Sequence, residues 1–151
     1  MRHLSRRAAL ALGAGSAAIT VLGWGKGAYA TPQAAAGDVA KFTGGAKPES
    51  GKISIELPEI AENGNTVPLS FSVDAPMTDA DYVSDVLVVA EGNPNPGVAT
   101  FHFTPLSGKA EASTRIRLAT TQNIVVVAKT SGGKYFTASK LVKVTIGGCG
   151  G

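Results

Sequence analysis

Val67-Pro68-Leu69-Ser70-Phe71-Ser72-Val73 alternates apolar and polar side chains without a break. A period of two belongs to a strand with one face buried and the other in water. Val67, Leu69, Phe71 and Val73 therefore share a core face. Upstream, Ile53, Ile55 and Leu57 repeat the pattern, and Asn63-Gly64 between the two runs is a strong turn signal. Downstream, Tyr82–Ala90 carries Val83, Val86, Leu87, Val88 and Val89, a run expected to be buried on both faces near its end. Asn93-Pro94-Asn95-Pro96 breaks the chain, because two prolines cannot feed a ladder. Val98–Thr104 is the next strand, and Ser107-Gly108 turns it. In Ala110–Ala119, Ala112, Thr114, Ile116 and Leu118 fall on one face, Arg115 and Arg117 on the other. Ile124–Lys129 is a compact apolar strand, Ser131-Gly132-Gly133 a turn, and Tyr135–Ile146 the last strand.

Seven strands at this spacing, with no convincing amphipathic helix, predict an all-β fold. The expected architecture is an immunoglobulin-like antiparallel β-sandwich over residues 51–146. The Cys…Trp…Cys signature of antibody domains is missing, so the pattern implies architecture only. Residues 31–50, rich in Ala and Gly with Pro32 and Pro48, read as a linker or a short helix around Ala34–Phe42.

Residues 1–30 read as an export signal. Arg6-Arg7 sit in a basic start, an apolar run follows from Ala8 to Leu22, and Ala28-Tyr29-Ala30 fits a cleavage site. The run is too short and too weakly apolar for a comfortable membrane span. Ser5-Arg6-Arg7-Ala8-Ala9-Leu10 resembles a twin-arginine signal, which exports proteins already folded; the alternative is an ordinary secretory signal with an incidental Arg pair. The expected compartment is the periplasm.

Removing that signal changes the charge reading. The whole chain has 14 Lys+Arg against 11 Asp+Glu. Arg2, Arg6, Arg7 and Lys26 leave with the signal, so about 10 bases face those 11 acids. A near-neutral domain has no nucleic-acid footprint.

The tail, Gly147-Gly148-Cys149-Gly150-Gly151, holds the single cysteine of the chain. A lone Cys in an exported protein forms no internal disulfide and has to be explained as a free thiol or an intermolecular link. Glycine pairs on both sides read as a flexible arm over 147–151, since ordering them costs about 1–2 kcal/mol per residue with nothing to bury. At about 3.5 Å per residue, Cys149 would stand roughly 10 Å beyond the strand, on a tip narrow enough to enter a channel on another protein. A thiolate forms disulfide or persulfide bonds with sulfur substrates. An ordinary thiol, with a pKa near about 8.5, is only about 3% thiolate at pH 7, and no neighbour in the tail lowers it. Activation then comes from whatever enzyme receives the arm, which favours a carrier over an enzyme. A metal site needs several ligands, and a prenylation box needs Cys fourth from the end. A terminal Gly-Gly is also found on thiocarboxylate carriers, but those mix helices with a sheet and are not exported.

Taken together, the chain resembles the SoxY family, the sulfur-carrying subunits of thiosulfate-oxidising systems. The resemblance rests on the twin-arginine signal, on Ile60-Ala61-Glu62-Asn63-Gly64 followed by Val67-Pro68, and on Asn93-Pro94-Asn95-Pro96. It also rests on Arg115-Ile116-Arg117-Leu118-Ala119 and on Val144-Thr145-Ile146 leading into the tail. It implies covalent sulfur attachment at Cys149 on a swinging arm formed with Gly147, Gly148, Gly150 and Gly151. It implies S-thiosulfonate and persulfide intermediates, and no metal, haem or other cofactor held by the carrier. The implied partners are a SoxZ-like β-sandwich subunit forming a heterodimer, a c-type haem enzyme that conjugates thiosulfate, a sulfate-releasing hydrolase and, where present, a sulfur dehydrogenase. No nucleic acid or membrane is among them.

Outside the tail the residues read as structural. His102, the one histidine beyond the signal, has no visible partner base or nucleophile and is expected to pack or hydrogen-bond, with Phe101 and Phe103 on the opposite face. Arg115 and Arg117 read as a solvated face, with contact to an anion or partner as the alternative. No catalytic residue is expected. Two other function classes compete: an exported binding module in which Cys149 is dispensable, and an enzyme, which would need a pocket with acid or base groups.

Overall fold

The structure, a computed structural model, describes residues 32–148. The signal over 1–30, with Arg6 and Arg7, lies outside the described residues, as do Cys149, Gly150 and Gly151.

Alternation is realised where the sequence shows it. β4 (Val67–Val73) buries every second residue, so Val67, Leu69, Phe71 and Val73 face inward. It pairs antiparallel with β2 (Ile53–Glu56) on one side and β7 (Ala110–Ile116) on the other, a three-stranded sheet. The second sheet has the order β1 (Glu49–Ser50), β9 (Tyr135–Ile146), β8 (Gln122–Thr130), β5 (Val83–Ala90), β6 (Gly97–His102). The core between the sheets is formed by the β4 face together with Val86, Val88, Ile124, Val126, Ala128 and Val142. Phe71 sets the aromatic corner, edge-on to Phe101 at 5.2 Å and to Phe103 at 6.4 Å. Both rings lie away from His102, as strand alternation requires.

At its centre, along β5 and β8, the larger sheet is buried on both faces. Its outer face is covered by helix α1 (Pro32–Thr43), which settles the linker-or-helix alternative for part of 31–50. Ala35, Val39 and Phe42 pack on Leu87, Val89 and Val125. Pro32 suits the first helical position, where no N–H is needed. Gly44 at φ 63° ends the helix, and the Gly45 N–H reaches back to the Ala40 carbonyl at 3.0 Å. That is a Schellman closure, and the left-handed position is what asks for glycine.

Nine strands form among the described residues rather than seven, and two of them run parallel. β1 pairs with β9 at Phe136–Thr137, and β3 (Ile60–Asn63) pairs with β9 at Lys143–Ile146. The expected immunoglobulin-like β-sandwich is present, with these two short parallel pairings added along β9. Glu49–Asn63 is one extended run beside β9 whose middle, β2, leaves to join β4. The run from Ser50 to Ile60 takes ten residues while β9 advances six, from Thr137 to Lys143. The surplus is the excursion between sheets, turned at Gly51 and Lys52, both with positive φ.

Candidate functional site

β9 delivers the tail, and its pairing partners decide where the tail stands. β8 accompanies β9 up to Val142, opposite Gln122. Beyond that point β9 needs new acceptors and donors. Lys143 N–H donates to the Glu59 carbonyl at 2.9 Å, and Val144 N–H to the Thr121 hydroxyl at 2.9 Å. β3 then carries the strand to Ile146.

Three backbone segments meet where β9 ends. Gly64 N–H donates to the Ile146 carbonyl at 2.7 Å, Leu118 N–H to the Gly64 carbonyl at 2.8 Å, and Gly148 N–H to the Leu118 carbonyl at 2.8 Å. The approach is so close that side chains do not fit. A Cβ on Gly64 would stand 2.2 Å from the Leu118 carbonyl oxygen, one on Gly147 2.1 Å from that of Ala119, and one on Gly148 2.7 Å from that of Gly64. Asn63-Gly64 is a turn, as its sequence predicts. The Asn63 Oδ1 accepts the Asn65 N–H at 2.9 Å, an Asx turn. Gly64 itself is not among the glycines with positive φ, so it is there for the close approach.

Gly147 and Gly148, expected to begin a flexible arm, lie against the sandwich. Gly148 is buried and hydrogen-bonded. The ordering cost is offset because a chain without Cβ atoms lies directly on the Gly64 and Ala119 backbones. Gly148, the last described residue, is thus held against the body of the sandwich.

The surface under Gly147 and Gly148 is itself braced. Asn93 is 2% exposed. Its Nδ2 donates to the Arg117 carbonyl at 2.8 Å, and its Oδ1 accepts the Ala119 N–H and the Gln122 Nε2, each at 2.9 Å. Gln122 Nε2 also donates to the Thr120 carbonyl at 2.9 Å, and its Oε1 accepts the Gly92 N–H at 2.7 Å. Residues 117–120 are thus pinned from beneath by a satisfied buried network. Sequence reading took Asn93–Pro96 as a turn, which it is, but missed this role. Nothing local in the sequence marks a buried Asn.

The remaining residues fall elsewhere. Arg115 and Arg117 are exposed, the solvated face expected. Ile146, Ile60 and Leu141, exposed at 66%, 58% and 51%, stand on β9 and β3. His102 does have a partner. Its Nδ1 lies 2.6 Å from Asp85 Oδ1. Burial pushes the Asp85 carboxyl up, but the Ser84 hydroxyl and His102, with Lys129 nearby, hold it below its ordinary value. The pair lies toward the start of β5, away from Ala90 and the end of β9. Among the described residues no three His, Cys, Asp or Glu side chains converge as metal ligands, and no helix is long and apolar enough to cross a membrane.

The comparisons with known proteins agree with this geometry. The family described as "Sulfur oxidation protein SoxY" matches residues 39–149, from within α1 to the cysteine. The sulfur carrier protein SoxY from Chlorobium limicola f thiosulfatophilum is similar at 34% identity, over 76% of this chain and 96% of that one, with a TM-score of 0.64. The superoxide reductase (neelaredoxin) from Ignicoccus hospitalis shares the fold at 20% identity, over 78% of this chain and 95% of that one, with a TM-score of 0.56. The superoxide reductase from Nanoarchaeum equitans does so at 11% identity, over 64% of this chain and 100% of that one, with a TM-score of 0.51. At such identities the reductases speak for the architecture alone. No curated protein matches. With the family match spanning the sandwich and the start of the tail, and a sulfur carrier of the same fold at 34% identity, the chain belongs to the SoxY family of sulfur-oxidation carriers.

Proposed function

We propose that this chain carries sulfur covalently on Cys149 and presents it to partner enzymes in the periplasm, having been exported folded through the Arg6-Arg7 signal. The observation that supports this most is positional. The family match ends on the chain's one cysteine, and β9 brings the two residues before that cysteine to a braced point on the surface.

The chemistry follows from a thiolate. Cys149 sulfur and thiosulfate join by an S–S bond with loss of two electrons, which pass to a c-type haem enzyme. The product is a Cys149 S-thiosulfonate. Water then cleaves the terminal S–S bond in a hydrolase, releasing sulfate and two protons and leaving a Cys149 persulfide. A sulfur dehydrogenase, where present, oxidises the remaining sulfur. The carrier supplies attachment and presentation, the partners supply catalysis, and no cofactor is needed on the carrier itself. A SoxZ-like sandwich subunit completes the heterodimer, and folded export allows the pair to cross together.

The test is intact mass spectrometry of the protein from thiosulfate-grown cells, before and after a reductant. Reducible additions confined to the Cys149 peptide are expected. A plain thiol under every growth condition would overturn the reading and leave a binding module.

A further inference from the structure

We propose that Gly64, Gly147 and Gly148 form a clamp that fixes the pivot of the carrier arm at Gly148, with Gly64 as a positioning residue for Cys149. The proposal rests on the carrier reading for its purpose, but its geometry stands on the chain alone.

Three observations carry it. The hydrogen bonds Gly64 to Ile146, Leu118 to Gly64 and Gly148 to Leu118, all at 2.7–2.8 Å, tie the end of β9 to two other segments. Each of the three glycines faces a backbone atom closer than any Cβ tolerates, at 2.2, 2.1 and 2.7 Å. The segment receiving them, residues 117–120, is braced from below by Asn93 and Gln122. A free tether would need none of this.

The consequence is a two-part tail. Gly147 and Gly148 serve close packing, and Gly148 is the last point held by the clamp. With Gly148 held, the tether available to Cys149 is shorter by two residues than one hinged at Ile146. An enzyme acting on Cys149 must either bring its channel mouth against the surface around Ile146 and residues 117–120 or open the clamp. Opening requires only local loss of the Gly148 contact and leaves the sandwich intact.

Amide exchange followed by NMR on the whole mature protein tests this. The Gly148 N–H is expected to exchange at least about tenfold more slowly than that of Gly150. Gly147→Ala, at the chain end where the strain can be relieved by detachment, should bring Gly148 to the Gly150 rate while the Leu69 and Val126 amides stay protected. Gly64→Ala should do the same, and the Gly147 variant keeps the test alive if that chain does not fold. As a second readout, the rate of Cys149 alkylation by a bulky polymer-linked maleimide, relative to iodoacetamide, should rise severalfold in Gly147→Ala. The proposal is overturned if Gly148 exchanges as fast as Gly150 in the unsubstituted protein, if its protection survives Gly147→Ala, or if the alkylation ratio does not move. Failure here leaves the mass-spectrometric test of sulfur carrying untouched, and a plain thiol there leaves the clamp untouched.

Discussion

The side-chain oxygen of Asn93 accepts the backbone N–H of Ala119 at 2.9 Å, across 26 residues of sequence. The same Asn donates to Arg117 and shares its oxygen with Gln122. Asn93→Ala removes all three bonds and leaves the Arg117 carbonyl and the Ala119 N–H without these partners. A buried orphan costs about 1–3 kcal/mol, so a loss of roughly 3 kcal/mol is expected in urea denaturation. Because residues 117–120 lie under Gly147 and Gly148, Gly148 amide protection should fall as well. A variant with unchanged stability would show that water replaces the Asn.

Phe71 tests the core independently of the tail. It is 3% exposed and edge-on to Phe101 and Phe103. Phe71→Ala should cost about 3–5 kcal/mol. Thermal unfolding measures it, and a loss under about 1 kcal/mol would mean that the corner collapses to fill the space.

Asp85 predicts a pH dependence. Its folded carboxyl sits below the ordinary value, chiefly through Ser84 and His102 working against burial. A depressed carboxylate stabilises above the unfolded pKa, and that contribution is lost as pH falls through the folded value. Asp85→Asn should therefore destabilise at pH 7 and lose its effect as pH falls below the ordinary carboxylate range. With His102 largely exposed, the gap at pH 7 should not exceed about 1 kcal/mol. A gap that widens on acidification would contradict this account.

Cys149→Ser separates function from fold. Stability should stay within about 0.5 kcal/mol of the parent, as for a substitution away from core features. Every reducible mass addition should vanish, and thiosulfate oxidation with the partner enzymes should stop. Continued oxidation would sink the carrier role.

How much of this was legible in the sequence depends on how local each signal is. Val67–Val73 could be read because a single sheet face decides each of its side chains. β1 and β3 could not. They are two and four residues long, with exposure that does not alternate, and they exist because β9 offers partners more than 70 residues downstream. Helix α1 covers Leu87 and Val89 largely with Ala35, Val39 and Phe42, too sparse a stripe to announce itself. The tail stands out by its composition, but composition does not place Gly147 and Gly148 against Ala119 and Gly64. A glycine in a sequence does not say whether it gives freedom or close approach. That is decided by a distance between Gly148 and Gly64, 84 positions apart. The same holds for His102, whose partner Asp85 lies on the neighbouring strand.

The placement of β9 also bears on how the protein is made. The strand leading to Cys149 is held by β8 on one side and by the parallel segments β1 and β3, so it closes the sheet. Contacts this distant in sequence form slowly, after their entropic cost has been met by other structure. A chain that has not assembled β1, β3 and β8 has nowhere to seat β9, and no braced point from which to offer the thiol. On the proposed carrier reading, loading of Cys149 would be coupled to completion of the sandwich, and a half-folded chain would make a poor substrate for a loading enzyme.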